Sequence, residues 1–165
     1  MRRPISHILM TALLVLCAAC AQADDRPQEH VFAEPIAVTP VTRPDWDRSS
    51  PERAYLGVRA ANLADDADWI LAGFAPGDRA KVSAYLGDTG MRAANAKAQR
   101  AISGERILSA LSYKSHVILI VEVSEAGGLK YSKPVPMIET ADGWAVSNAL
   151  AADPVFGELM QGKLK

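Results

Sequence analysis

The chain has 165 residues, of which 49% are hydrophobic, and its 18 Lys and Arg against 19 Asp and Glu give a net charge of −1. This balance argues against the clustered basic surface that binding to a nucleic acid backbone or to an anionic membrane requires. A chain of this length can bury a sizeable core in one domain, so it needs neither a disulfide nor a metal ion to fold.

Residues 1–23 have the three zones of a secretory signal peptide. Arg2 and Arg3 give a positive start, and the apolar run over 8–19 is too short to span a bilayer. Ala21-Gln22-Ala23 then forms a small-x-small cleavage site. We therefore predict a periplasmic or secreted protein that begins at Asp24. Without Arg2 and Arg3 the mature chain keeps 16 basic and 19 acidic residues, a net charge of −3.

Both cysteines, Cys17 and Cys20, lie inside this signal. The mature domain therefore has no disulfide, no cysteine nucleophile and no thiolate metal site. The run Cys-Ala-Ala-Cys over 17–20 resembles a bacterial lipobox, although Cys17 stands where that pattern has Leu. The alternative location is therefore the outer membrane, as a lipoprotein anchored through a lipidated Cys20.

Residues 24–50 differ in composition from the rest of the chain, because prolines recur every four to eight residues and no helical period is present. This pattern predicts an extended, Pro-rich leader that packs little on the domain and is cut by proteases. An alternative is an arm that lies on the domain, in which Ile36, Val38 and Val41 form a short strand.

Four helices are predicted after the leader. Ser50 suits an N-cap, Pro51 the first helical position, and Glu52 the positive end of the helix dipole. Asp65 or Asp66 should end the first helix and cap the second. The predicted helices cover 51–64, 67–74, a segment that follows 76–78 and ends at 86, and 89–102.

After Gly104 the hydrophobic period becomes that of strands, predicted over 106–113, 116–123, 129–140 and 144–150, with a final helix over 154–160. Pro134 and Pro136 cannot donate to a ladder, so one side of the third of these strands should be an edge or a bulge. The second is apolar on both faces. The leader, the C-terminal helix or another chain should therefore cover its outer face, which makes a homodimer or a periplasmic protein partner possible through the sheet.

Helices followed by an antiparallel four-stranded meander predict a single α+β domain over 51–165. Ser50-Pro51-Glu52, the turn and helix over 65–74, and Asp142-Gly143-Trp144 at the last strand resemble the nuclear transport factor 2-like superfamily, over about 51–160. The resemblance implies a cone-like fold, in which the helices and a curved sheet enclose a cavity. It leaves the function open, because many unrelated activities use this fold.

Motifs for several chemistries are missing from the sequence. It contains no Gly-rich phosphate loop, no nucleophile elbow and no His pair at metal-binding spacing. Asp65, Asp66 and Asp68 lack the glycine turn and distal Glu of a calcium loop, so we predict that they cap helices. No cofactor and no metal are predicted.

Enzymes of the resembling superfamily use an acid or base in the cavity, commonly Asp or His, with a Tyr or another donor. Glu122 shares a strand face with Ile118 and Ile120, so it is either a carboxyl in an apolar pocket or a solvated residue paired with Lys130; the second interpretation is favoured. His116, Asp68 and Tyr85 are further acid–base candidates. The candidate pocket-lining residues are Tyr55, Trp69, Tyr113, Glu122, Tyr131, Trp144 and Asn148.

Since no paired catalytic groups stand out, we predict a non-catalytic periplasmic binding or accessory protein. It would hold a small apolar ligand or a protein partner through the cavity or the sheet face. The alternative is a small cone-fold enzyme of the isomerase, cyclase or dehydratase type that works by acid–base chemistry. Trp69 and Trp144 are expected to be buried and to link the helices to the sheet.

Overall fold

The computed structural model describes residues 26–162. The signal peptide over 1–23 and the alternative lipidation site at Cys20 lie outside the described residues and stay predictions. The chain forms five strands, β1 (Gln28–Ala37), β2 (Ile102–Tyr113), β3 (His116–Glu125), β4 (Lys130–Thr140) and β5 (Gly143–Val146). Its helices are α1 (Pro51–Ala64), α2 (Ala67–Ala72), α3 (Arg79–Gly87), α4 (Thr89–Ala101) and α5 (Pro154–Met160). The predicted α+β class is confirmed.

Side-chain caps begin the helices where the sequence predicts them. The backbone N–H of Arg53 donates to Ser50 at the start of α1, and that of Trp69 donates to Asp66 at the start of α2, over 3.0 Å. Asp65 ends α1 in the left-handed region, with φ of 51°. The capping role predicted for this acidic segment is therefore confirmed at Asp66.

The sheet has five strands rather than the predicted four, in the order β1-β2-β3-β4-β5, and all neighbours are antiparallel. The additional strand, β1, comes from the segment predicted to be a leader. It pairs with β2 at both ends, with an irregularity between Val31 and Ile36. Residues 28–37 are therefore part of the sheet, because β2 supplies hydrogen-bonding partners that only the fold brings near them.

The last strand is shorter than predicted, since β5 ends at Val146 and not at residue 150. Beyond Val146 the backbone N–H of Ser147 still donates to β4, and the chain turns away at Asn148, whose backbone N–H donates to the Asp78 carboxylate 2.9 Å away. Pairing with β5 begins only at Met137 of β4. The Pro136 carbonyl still accepts from the backbone N–H of Ser147 at 2.9 Å, so the predicted edge is confirmed at Pro134 and not at Pro136.

One face of the sheet, which we call the helical face, packs against α1. Tyr55 and Val58 of α1 lie on Leu119 and Val121 of β3, which are fully buried. Trp144 packs against this core as predicted but is only half-buried, because it lies at the beginning of a short edge strand.

A second core connects the helices to one another. Trp69 is 6% exposed and packs with Ala61, Ile70 and Leu86 of α1, α2 and α3. The predicted burial of Trp69 is therefore confirmed, although its neighbours belong mainly to helices and not to the sheet.

The opposite face of the sheet, which we call the groove face, is covered by α5. Val155, Phe156 and Leu159 of α5 pack on Leu111 and Ile118. This contact explains why β3 is apolar on both faces, and it confirms the C-terminal helix as a cover for the second one.

The end of the predicted leader also packs on the domain. The indole N–H of Trp46 donates to the Ala54 carbonyl over 3.0 Å, and its ring meets that of Trp69 edge-on, with centroids 6.2 Å apart. The Arg48 guanidinium lies 5.1 Å from the centroid of the Trp46 ring. The expectation that 24–50 packs little is therefore wrong for this part, because Trp46 buries apolar surface against α1.

Gly57 of α1 makes this contact possible, since a Cβ added there would lie 2.0 Å from Cδ1 of Trp46. We expect Gly57→Ala to lower the free energy of unfolding by about 1–3 kcal/mol, the usual cost of overpacking. Urea denaturation measures this change. Gly87→Ala is the matched control, because a Cβ at this helical glycine meets nothing within 4 Å.

The same overpacking should disappear once the indole is removed. In a Trp46→Ala background, Gly57→Ala should cost nothing further, because the methyl group then enters vacated space. An unchanged cost in that background would show that the strain arises elsewhere in α1.

Candidate functional site

Two depressions lie on opposite faces of the sheet. A cleft of about 170 Å³ opens between α1 and the helical face, and a groove of about 740 Å³ runs between α5 and the groove face. We call them the α1 cleft and the α5 groove. Only the larger one falls in the size range of sites for drug-sized ligands, about 300–1,000 Å³.

A group of charged side chains, the Glu105 cluster, lies at the α1 cleft. Its centre is the Glu105 carboxylate, whose side chain is 1% exposed. Oε1 accepts hydrogen bonds from the Tyr55 hydroxyl at 3.0 Å and from the Lys133 ammonium at 2.8 Å. Arg59 Nε lies 2.5 Å from Oε2 as an ion pair, although it lacks hydrogen-bond geometry there. One buried carboxylate is therefore held by two cations and a phenol.

Helix α4 fixes the guanidinium of this cluster from the other side. Nη1 of Arg59 donates to the Gln99 side-chain oxygen at 2.6 Å, and Nη2 donates to the Gln99 carbonyl at 3.0 Å. The Gln99 amide in turn donates to Asn95. Since Arg59 is only 7% exposed, these bonds and the ion pair compensate for its loss of hydration.

The phenol of Tyr55 stays neutral in this setting. Burial raises the pKa of Tyr55 well above its ordinary value, and the neighbouring Glu105 charge raises it further. Its hydroxyl proton is directed at the carboxylate. The cluster Tyr55, Arg59, Glu105 and Lys133 thus carries two positive charges and one negative charge.

The α5 groove has mostly apolar walls. Its floor contains Leu111, Ile120 and Pro134 of the sheet, and α5 contributes Val155, Leu159 and Met160. Charged residues of both signs also line it, and the remaining lining residues are small, polar or proline; these are Arg26, Glu29, Lys133 and Glu158, and Pro27, Ser132 and Gly162. Such a surface fits a ligand whose bulk is apolar and whose polar groups are few.

Glu122, the carboxyl singled out in the sequence, is not isolated. Its Oε1 accepts hydrogen bonds from Nη2 of Arg106 at 2.6 Å and from Nε at 3.1 Å. This contact holds the pKa of Glu122 below its ordinary value. The favoured interpretation of Glu122 as an ion-paired residue is therefore correct. Its partner, however, is Arg106 on β2 and not Lys130, because Arg106 lies directly opposite Glu122 in the ladder.

The other predicted pocket residues are dispersed. Tyr55 lines the α1 cleft, whereas Trp69 and Trp144 belong to the packed cores. The Tyr113 hydroxyl donates to Asp153, which caps α5. Tyr131 is 40% exposed, and Asn148 is an exposed residue beyond the end of β5. The structure therefore does not gather these seven residues into one site.

The additional acid–base candidates also lie apart from the Glu105 cluster. His116 is buried and its Nε2 lies 3.3 Å from the Ser147 hydroxyl, and burial lowers the pKa of its ring. Tyr85 is an exposed residue of α3 whose hydroxyl donates to the Met91 carbonyl. Asp68 lies in the first turn of α2.

Sequence reasoning missed Arg59, Glu105 and Lys133. The predicted strand begins at 106 and places Glu105 in the preceding turn, whereas in the structure Glu105 belongs to β2 and is buried, as is Ile107. The sequence does carry one signal for the burial of Glu105. It lies two positions before Ile107, and residues two apart in a strand share one face. Its partners could not be inferred, because α1, β2 and β4 meet only in the fold.

Within residues 26–162, no group of three or more potential metal ligands comes together. No helix of that range is long and apolar enough to cross a membrane.

Comparisons with known proteins give one structural similarity. No protein-family model matches the chain, and no curated protein matches it. A search of solved structures finds a Campylobacter jejuni protein, provisionally described as an NTF2-like transpeptidase. The two are 19% identical, with a TM-score of 0.46, and the match covers 60% of this chain and 98% of the other. The description concerns that protein.

Proposed function

We propose that this protein is a non-catalytic binding protein that holds a small apolar molecule in the α5 groove. The observation that carries the proposal is the size and lining of the groove, about 740 Å³ with apolar side chains from both the sheet and α5. Burial of apolar ligand surface against such walls contributes roughly 25 cal/mol for each Å² removed from water.

The enzymatic alternative has one observation in its favour, the buried Tyr55–Glu105 pair at the α1 cleft. An acid–base catalyst, however, must exchange a proton with its substrate. The Glu105 carboxylate already accepts from Tyr55 and Lys133 and is ion-paired with Arg59. Glu122 is likewise engaged by Arg106. Binding is therefore the function that this arrangement supports best.

The neutral fluorescent probe N-phenyl-1-naphthylamine tests the groove. We expect its fluorescence to rise on binding, and Met160→Glu to weaken that binding by about tenfold, because the charge enters an apolar wall. Met160 is 57% exposed, so the fold should tolerate the change. Met91→Glu is the matched control, since Met91 is 51% exposed but lies on α4, away from the groove. Glu122→Gln should leave probe binding unchanged.

A protein partner or a second copy of the chain is the competing occupant of this groove. Absence of probe binding, together with a dimer that Met160→Glu converts to a monomer in sedimentation, would replace the proposed ligand with an interface. Mass spectrometry of solvent extracts from the natively purified protein would then show no retained apolar molecule.

We further propose that the protein works outside the cytoplasm, as the segment over 1–23 suggests. N-terminal sequencing of the purified protein should find Asp24 as the first residue, or a blocked, lipidated Cys20. Palmitate labelling with Cys20→Ser as the control separates these two routes. An intact Met1 on a cytoplasmic species would overturn this location.

A further inference from the structure

We propose that the α1 cleft is a second binding site, on the opposite face of the sheet from the α5 groove, and that it takes a short-chain carboxylate anion. The charge of its lining is the first argument. Arg59 and Lys133 line the cleft, whereas Glu105 lies behind them with 1% of its side chain exposed. Among the described residues, those lining the cleft therefore include two cations and no carboxylate.

The second argument is the supply of free hydrogen-bond donors. A Lys ammonium has three N–H donors, and the structure shows one of those of Lys133 directed at Glu105. The Lys133 side chain is one third exposed, so its remaining donors can meet a ligand at the cleft. The cleft amides have partners within the protein, because Asn62 donates to the Val58 carbonyl and Gln99 to Asn95. Lys133 is accordingly the principal contact for an incoming anion.

The remaining lining decides which anion fits. Val58, Phe74, Val135 and Val146 form an apolar wall beside the charged side chains. The cleft volume of about 170 Å³ corresponds to roughly five or six water molecules, at about 30 Å³ each. A small ligand with a carboxylate at one end and a short alkyl chain at the other can contact both the charged side chains and the apolar wall. Phosphate would leave the apolar wall without a partner.

Propionate, propionamide and inorganic phosphate test this assignment at constant ionic strength, with backbone amide chemical shifts as the readout. Propionate should shift the amides of Lys133 and Val135 in a saturable manner. Propionamide has nearly the same shape without the charge, and it should bind at least about tenfold more weakly, the loss expected for a charge-assisted hydrogen bond. Equal binding of propionate and propionamide, or of propionate and phosphate, would overturn the proposal.

Variants of β4 locate the site. Lys133→Gln should weaken propionate binding by about tenfold, and Lys133→Arg should retain it. Lys130→Gln is the matched control, because Lys130 is an exposed residue of the same strand and belongs to neither lining. An unchanged affinity in Lys133→Gln would contradict the assignment.

These outcomes are separable from those of the proposed function. Propionate binding should survive Met160→Glu, because Met160 lines the α5 groove and not the α1 cleft, whereas the same change weakens binding of the neutral naphthylamine probe. Saturating propionate should leave binding of the naphthylamine probe unchanged. Thermal unfolding of each variant confirms that it is folded before its binding is compared.

Discussion

Glu105→Gln should lower the free energy of unfolding by about 3–5 kcal/mol, the range observed when one partner of a buried ion pair is removed. The amide keeps the shape of the side chain but removes the negative charge that faces Arg59 and Lys133. Lys133 can turn toward solvent, whereas Arg59 is 7% exposed and retains only its bonds to Gln99. Urea denaturation followed by circular dichroism measures the loss.

Removal of both buried charges distinguishes an ion-pair effect from a packing effect. The double variant Arg59→Met with Glu105→Gln should be more stable than Glu105→Gln alone, because no uncompensated guanidinium is then left in the core. A double variant that costs the sum of the two single changes would show that the charges do not interact energetically.

Trp69→Ala should destabilise the protein by a similar amount, about 3–5 kcal/mol, as expected for a large buried aromatic side chain. Trp69 fills the core that joins α1, α2 and α3, and its ring also contacts that of Trp46. The cavity would therefore loosen both the helices and the segment before α1. Thermal and urea unfolding measure the change, and a loss below about 1 kcal/mol would contradict this packing.

Trp69→Phe separates the role of the ring from that of its N–H group. Within the described residues, Nε1 of Trp69 is buried and has no hydrogen-bond partner, an arrangement that costs about 1–3 kcal/mol. Phenylalanine removes this unsatisfied donor while keeping most of the packing. We therefore expect Trp69→Phe to cost less than about 1.5 kcal/mol, well below the cost of Trp69→Ala.

The elements that the sequence predicts well are those determined by local chemistry. Ser50 and Asp66 cap helices through residues three positions away, so the beginnings of α1 and α2 follow from short segments. The tight turn before His116 and the apolar alternation of β3 are also local. The same reasoning explains why Trp69 could be assigned to a core from its apolar helix.

Contacts between segments that lie far apart in the sequence cannot be predicted from such local patterns. The Glu29 carboxylate accepts from the Ser109 hydroxyl across 80 residues, and Tyr55 donates to Glu105 across 50 residues. The strand β1 was not predicted, because the prolines of this segment are typical of a linker, whereas the segment forms an irregular edge strand. Tyr55 is a candidate by residue type, and Arg59 follows it at the i,i+4 spacing of one helix face in α1. Glu105 and Lys133 come from β2 and β4, so spacing does not assign them to Tyr55.

The position of β1 also affects the order in which the fold can be completed. Synthesis begins at the amino terminus, so Gln28 emerges long before its partner Ser112. The strand therefore remains without its partner until four helices and most of β2 have followed, and its pairing adds contacts of high sequence separation that slow folding. An unpaired strand is open to intermolecular association during this interval. Pro35 and the charged Glu29 and Glu34 act against such association, as proline and charge do at natural sheet edges.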